Sequence, residues 1–215
     1  KLLQNMRDIL VENLAAMFRR SAERFSDKTA LFFLDKKISY KELYQMSSGL
    51  SQGLKNLGIK KGDKVAIFLH NAPEFIVSYF AIIDIEAICV PINNMLKEGE
   101  LGFILKDSGA KLIISSIACL DVVNLAKIRT PDLKYTVIID GLAQNTFNFY
   151  EIIERSIVKK EDIFINPEEV ASIIYTSGTT GNPKGAMLTH KNLLSNVKSC
   201  ISSIDVSEKD NFICI

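Results

Sequence analysis

Four short apolar runs between residues 64 and 139 dictate most of what this chain can become. They are Lys64–Leu69 (K-V-A-I-F-L), Ala87–Ile92, Lys111–Ser115 and Tyr135–Ile139, and stretches of helical character separate them. Lys64–Leu69 is nearly continuous in apolar residues, the pattern of a strand covered on both faces. Runs of this kind alternating with helices predict α/β architecture: βαβ units and a mainly parallel sheet with flanking helices. Crossovers should be right-handed, and ligands should sit beyond the carboxyl ends of the strands.

The remaining elements follow from periodicity and from start and stop signals. Leu10, Leu14, Met17, Phe18 and Phe25 recur at helical spacing within Ile9–Phe25. Ala30–Leu34 and Ile38–Tyr40 read as short strands joined through Asp35-Lys36-Lys37. Ser39 and Glu42 have capping-box spacing for a helix over Lys41–Leu57, with Gly58 at its C′ position. Asn71 is the expected N-cap of a helix running to Glu86, with Pro73 in its first turn and Glu74 three positions after the cap. Phe75, Tyr79 and Phe80 on that helix read as core rather than as an acyl tunnel. Further helices are expected over Glu98–Asp107, ending near Gly109, and over Leu120–Ile128 and Phe147–Arg155. Val170–Tyr175 is a strand, Ala186–Leu188 is extended, Thr189 caps a helix from His190 to Ser203, and Asn211–Ile215 begins another strand.

Composition excludes several classes. With 47% hydrophobic and 24% charged residues in 215, the chain can bury a core and is unlike a disordered one. A net charge of +1 gives no global field for nucleic acid or an anionic membrane, although peripheral membrane contact stays open. The longest apolar stretch, Phe75–Ile83, is too short to span a bilayer, and no basic leader precedes an apolar segment. Cys89, Cys119, Cys200 and Cys214 form no C-x-x-C pair and lie mostly among apolar neighbours, so buried free thiols in a reducing, cytoplasmic setting are expected. His70 and His190 have no cysteine or acid at ligand spacing; His70, at a strand end where ligands can approach, is expected rather to cap or pack, and His190 to support the loop before it.

The chemistry concentrates in Tyr175–Gly185, Y-T-S-G-T-T-G-N-P-K-G. Thr176, Ser177, Thr179 and Thr180 interleave with Gly178 and Gly181, and Lys184 and Gly185 close the run. Glycines let successive backbone amides face one anion, hydroxyls add rotatable donors, and lysine adds a compact positive charge. No Asp or Glu occurs from Val170 through Ile204. An even spread of the 25 acids would place about four there, so the lysine has no local carboxylate to neutralise it. The arrangement suits a polyphosphate. It is not a Walker A loop, since Pro183 follows Gly178 by five positions and Lys184 precedes Gly185.

The stretch Tyr175–His190 closely resembles the phosphate-binding motif of the adenylate-forming superfamily, which includes acyl-CoA synthetases, luciferases and peptide-synthetase adenylation domains. The resemblance covers nearly the whole chain. Ile38–Leu43 looks like the family's S-Y-x-E-L, Lys61–Ala66 its K-G-D-x-V-A, Asn71–Phe75 its N-x-P-E-F, and Pro91-Ile92-Asn93 its P-I-N. Pro91–Leu101 and Asp107–Lys111 look most like the fatty acyl-CoA branch, for medium- or long-chain acids. One departure stands out: Asp84-Ile85-Glu86 replaces the usual glycine context before the second buried strand, and looser helix–strand packing is expected there.

What the resemblance implies is a two-step ligase. A carboxylate attacks the α-phosphorus of ATP to give acyl-AMP and pyrophosphate, and the thiol of coenzyme A then displaces AMP. Thr176, Ser177, Gly178, Thr179, Thr180, Gly181 and Lys184 would wrap the β- and γ-phosphates, with Thr176 and Lys184 the catalytic candidates and Thr176 facing Mg²⁺. The substrates would be a carboxylic acid, ATP and coenzyme A. Aryl-CoA ligases, acyl-carrier-protein ligases, peptide-synthetase adenylation domains and a non-catalytic nucleotide-binding module are the alternatives.

A full-length member has on the order of 500 residues. The downstream acyl and adenine motif, the Mg²⁺-binding acid, the ribose-binding Asp and the C-terminal lysine of the family would lie beyond Ile215. The chain starts at Lys1 and stops at Ile215 within an apolar run, so both ends look cut. An N-terminal fragment is the expectation, folded at least partly, binding nucleotide weakly and not turning over. Residues 1–165 would form an N-terminal α/β subdomain and 166–215 the start of a second one. The charged stretch Val158–Glu169 is the candidate boundary, or equally a solvated loop within one domain.

Overall fold

A computed structural model describes residues 13–157, 165–176 and 183–213. Helix α1 (Leu14–Arg24) starts at Asn13, whose side chain accepts the Ala16 N–H at 2.9 Å. Strands β1 (Thr29–Phe33) and β2 (Lys36–Ser39) form a separate antiparallel hairpin, with Leu34 at φ 53° in its turn. Helix α2 (Tyr40–Asn56) has the expected capping box. Glu42 N–H donates to Ser39 Oγ, and Ser39 N–H donates to Glu42 Oε2 at 2.8 Å. Gly58, at φ 91°, follows its end.

Strand β3 (Lys64–Phe68) leads to α3 (Pro73–Asp84), β4 (Ile88–Pro91), α4 (Glu98–Ser108) and β5 (Ala110–Ser115). A 3₁₀ turn at Ile117–Cys119 then runs into α5 (Leu120–Lys127), followed by β6 (Tyr135–Ile138), β7 (Phe147–Asn148) and α6 (Phe149–Glu154). The described chain closes with β8 (Val170–Thr176), β9 (Lys184–Thr189) and α7 (His190–Ser203). The order in the main sheet is β7-β6-β5-β3-β4-β8-β9, and every neighbouring pair is parallel except β8 with β9.

Alternation along the central strands sends residues to two cores, as expected for a sheet covered on both faces. Val65, Ile67, Leu112 and Ile114 join Phe18, Leu50, Leu54, Val77 and Phe149 on one side. Ala66, Phe68 and Ile113 join Leu101, Ile104, Leu105 and Val123 on the other. Each fully buried Leu or Ile contributes roughly 2 kcal/mol relative to exposure. Phe75, Tyr79 and Phe80 pack against the first cluster, and the Phe80 ring stacks on Phe18 with centroids 4.1 Å apart.

Three local expectations are corrected. The N-cap of α3 is Ala72, not Asn71, and no side chain caps it. Pro73 occupies the first helical position and forces the residue before it into extended backbone, so Asn71 falls one place outside. Packing around Asp84-Ile85-Glu86 is not loosened: Ile82, Ile83, Ile85 and Ala87 are all buried. The departure from glycine is carried by the backbone instead, because Glu86 sits at φ 58°, a left-handed conformation that costs a non-glycine residue about 1 kcal/mol. Its carboxylate pairs with Lys61, which also reaches Glu169 at 2.7 Å. Last, Asn211–Ile213 form no strand and are exposed, while Cys214 and Ile215 lie outside the described residues.

Candidate functional site

The chain folds so that the phosphate-loop motif joins the ends of two hydrogen-bonded strands. β8 enters the sheet beside β4, where Ser172 lies opposite Cys89 and Ser172 Oγ donates to the Cys89 carbonyl at 3.0 Å. β9 returns antiparallel, pairing Ser172 with Leu188, Ile174 with Ala186, Tyr175 with Gly185 and Thr176 with Lys184. Thr176 and Lys184 are therefore cross-strand partners at the carboxyl end of β8, and both are exposed. Ser177, Gly178, Thr179, Thr180 and Gly181 lie outside the described residues.

Among the described residues no ion pair includes Lys184. The charge and the Thr176 hydroxyl are thus available at the sheet edge where ligands approach parallel strands. A hydroxyl and an ammonium fit the β- and γ-phosphates of a nucleotide, and a lone hydroxyl also fits Mg²⁺, which keeps most of its ligands from water and phosphate. No group of three or more His, Cys, Asp or Glu side chains among the described residues is placed to hold a metal.

Gly185 is needed for space rather than for turning. A Cβ there would lie 2.8 Å from Ile173 Cγ2 and 2.9 Å from Tyr175 Cζ, so the Tyr175 ring lies across the Gly185 backbone. Tyr175 Oη donates to Asp107 Oδ2 at 2.6 Å, linking β8 to the last turn of α4. Burial, then the Asp107 carboxylate, pushes the Tyr175 phenol well above its ordinary value, so it remains a donor.

After β9, Thr189 caps α7 as expected, its Oγ1 accepting the Asn192 N–H at 3.1 Å, and Asn192 completes the box: Thr189 N–H donates to Asn192 Oδ1 at 3.0 Å. His190 is buried at 2% exposure, and its Nδ1 accepts the Leu14 N–H at 3.2 Å. A backbone N–H can only donate, so Nδ1 is unprotonated and the ring proton rests on Nε2. The histidine holds α1 to the start of α7.

Burial lowers His190 to about 4 from an ordinary 6.5, against an opposing pull from Glu169. The unfolded chain therefore binds a proton between these values that the folded chain does not. Stability should be intact above about pH 6.5 and fall as pH drops toward 4, by roughly 2 kcal/mol after partial solvent screening. Urea titrations at pH 7 and pH 4.5 check this, with His190→Asn expected to flatten the difference; an equal slope in that variant rejects the assignment.

His70 neither caps α3 nor packs inside. It is exposed beyond the end of β3, with Nδ1 2.5 Å from Asn94 Nδ2. Since β4 lies between β3 and β8, His70, Asn94 and Thr176 share the carboxyl edge of the sheet. Neither the Tyr175–Asp107 bond nor the Leu14–His190 bond follows from a motif in the sequence. The available hint for the first was an aspartate in the final turn of a helix, where a carboxylate opposes the helix dipole.

Residues 18–215 match the family of AMP-binding enzymes. The long-chain-fatty-acid–CoA ligase of Bacillus subtilis is 30% identical, over 92% of this chain and 40% of that protein. The 4-coumarate–CoA ligase 1 of Petroselinum crispum is 31% identical, over 83% of this chain and 33% of its own length. Among solved structures, the fatty acyl CoA synthetase of Mycobacterium tuberculosis superposes with a TM-score of 0.82 at 27% identity, covering 93% of this chain and 39% of that one. The chain spans 40% or less of the length of these relatives. Among the described residues no helix is long and apolar enough to cross a membrane.

Proposed function

The chain belongs to the AMP-binding enzyme family, and on that premise we propose that the protein it comes from is an ATP-dependent acid–thiol ligase acting on a fatty acid. The observation that carries this reading is the register that sets Thr176 opposite Lys184 at the carboxyl end of β8, with no acid nearby in sequence.

In the first step a carboxylate oxygen bonds to the α-phosphorus of ATP and the bond to the β-phosphate oxygen breaks, releasing pyrophosphate. Lys184 stabilises the negative charge that grows on the leaving group, and the Thr176 hydroxyl orients the same phosphates. Thr176 would help to hold Mg²⁺, which would supply further positive charge to the leaving pyrophosphate. In the second step the coenzyme A thiol attacks the acyl carbon and AMP leaves.

A fatty acid is the substrate class we favour, on the similarity to the Bacillus subtilis ligase and on the Pro91–Leu101 and Asp107–Lys111 segments. The aryl alternative rests on the 4-coumarate ligase. Of the thiols expected to be buried, Cys89 and Cys119 are buried and Cys200 is exposed; all three are free, which supports a reducing compartment such as the cytoplasm. Acid-dependent exchange of labelled pyrophosphate into ATP by the full-length protein tests the reading over medium- and long-chain fatty acids and hydroxycinnamates. Exchange with fatty acids is expected; exchange with aryl acids alone moves the substrate class, and none with any acid removes the ligase reading.

A further inference from the structure

Resting on the reading that Thr176 and Lys184 handle the polyphosphate, we propose that Asp107 is a positioning residue for that pair, acting through Tyr175. Asp107 lies in the last turn of α4, just before Gly109 at φ 66°. A carboxylate there opposes the helix dipole, and the neighbouring Lys106 is the residue type that such a turn favours. Asp107 therefore does little for its own helix. What it does is accept the Tyr175 hydroxyl at 2.6 Å, within the short range of a charge-assisted O–H···O⁻ bond.

The geometry gives that bond leverage. β9 lies at the end of the described sheet order and pairs with β8 alone, and its residues Lys184–Met187 are exposed. Within the hairpin, the Tyr175 ring crosses Gly185, the residue adjoining Lys184, with no room for even a methyl group between them. Successive residues of a strand face opposite ways, so anchoring Tyr175 on the α4 side turns Thr176 to the other. One hydrogen bond to the helical layer thus fixes both the direction of Thr176 and the seat of Lys184. Without it the ring can swing off Gly185, and the pair loses its spacing.

The test compares Tyr175→Phe, Asp107→Ala, Asp107→Asn and the double variant Tyr175→Phe/Asp107→Ala in the full-length protein. Two readouts are taken: KM for ATP and for the acid in pyrophosphate exchange, and hydrogen exchange of the β9 amides. We expect KM for ATP to rise about tenfold in Tyr175→Phe and Asp107→Ala, with KM for the acid and the melting temperature unchanged. The double variant should be no worse than either single one, and Asp107→Asn should recover part of the loss because its carboxamide oxygen still accepts. A stable Tyr175→Phe with wild-type ATP kinetics, or single losses that multiply in the double variant, overturns the proposal. If the wild-type protein exchanges pyrophosphate with no acid, the ligase reading fails and β9 decides the tether by itself. Faster β9 exchange in both single variants then supports it, and unchanged exchange overturns it.

Discussion

Lys184→Ala in the full-length protein is expected to slow acid-dependent pyrophosphate exchange about 100-fold, the scale on which removing one preorganised donor to developing charge acts. Lys184 stands opposite Thr176 at the open carboxyl edge of the sheet, without an ion pair among the described residues and without an acid from Val170 to Ile204. Nothing structural requires its charge there: the side chain is exposed and the backbone pairing with Thr176 survives truncation to alanine. The loss should therefore appear in catalysis while the melting temperature holds. Lys184→Arg keeps the charge but spreads it over a planar fork, so partial recovery is expected. Because Lys184 is exposed among the described residues, salt should raise the wild-type KM for ATP and leave that of Lys184→Ala nearly flat, the Debye length being about 10 Å at 0.1 M. Undiminished exchange in Lys184→Ala would remove the role assigned to it.

What could be read from the sequence, and what could not, divides along the distance between interacting residues. Short-range signals carried through: the Ser39–Glu42 box, Gly58 and Gly109 after helix ends, and Thr189 at the start of α7 all depend on neighbours within a turn. So did the doubly covered strands, since Val65 and Ala66 must face different layers whatever those layers hold. The direction of β9 was not legible, because an extended segment after a loop carries no mark of which neighbour it will pair with. Nor were the bonds that place the site. Tyr175 meets Asp107 from 68 residues away, and Leu14 meets His190 from 176. Neither pair has a spacing that periodicity could expose. Glu86 shows the intermediate case: the missing glycine was visible, but its consequence fell on a backbone angle rather than on packing.

Gly53→Leu is expected to destabilise the chain by about 3 kcal/mol, lowering its melting temperature by roughly 6–12 °C at 215 residues. Helix α2 is squeezed between two others, and its small residues make that fit. Ser47 Oγ and Ser51 Oγ donate to the Val77 carbonyl and Asp84 Oδ2 on α3, at 3.2 and 2.9 Å. On the opposite side Gly49 and Gly53 face α6. A Cβ on Gly53 would lie 2.0 Å from Ile152 Cγ2 and 3.3 Å from the Ile152 carbonyl oxygen, and one on Gly49 would lie 2.8 Å from Ile153 Cγ2. Alanine in a helix interior is worth about 1 kcal/mol over glycine, so an open site would reward Gly53→Ala. Here the overlap outweighs that gain, because the carbonyl oxygen bars retreat and α6 is itself anchored by fully buried Phe149. Pushing α6 away strains the first core, which backs the same sheet that presents Thr176. The diagnosis is specific to one methyl group: Ile152→Ala removes Cγ2, so combining it with Gly53→Ala should cost less than the two changes summed. Thermal melts of the wild type, the two single alanine variants, their double and Gly53→Leu decide it. Additive losses, or a Gly53→Leu variant that melts with the wild type, would show that α2 and α6 are not in contact at this point.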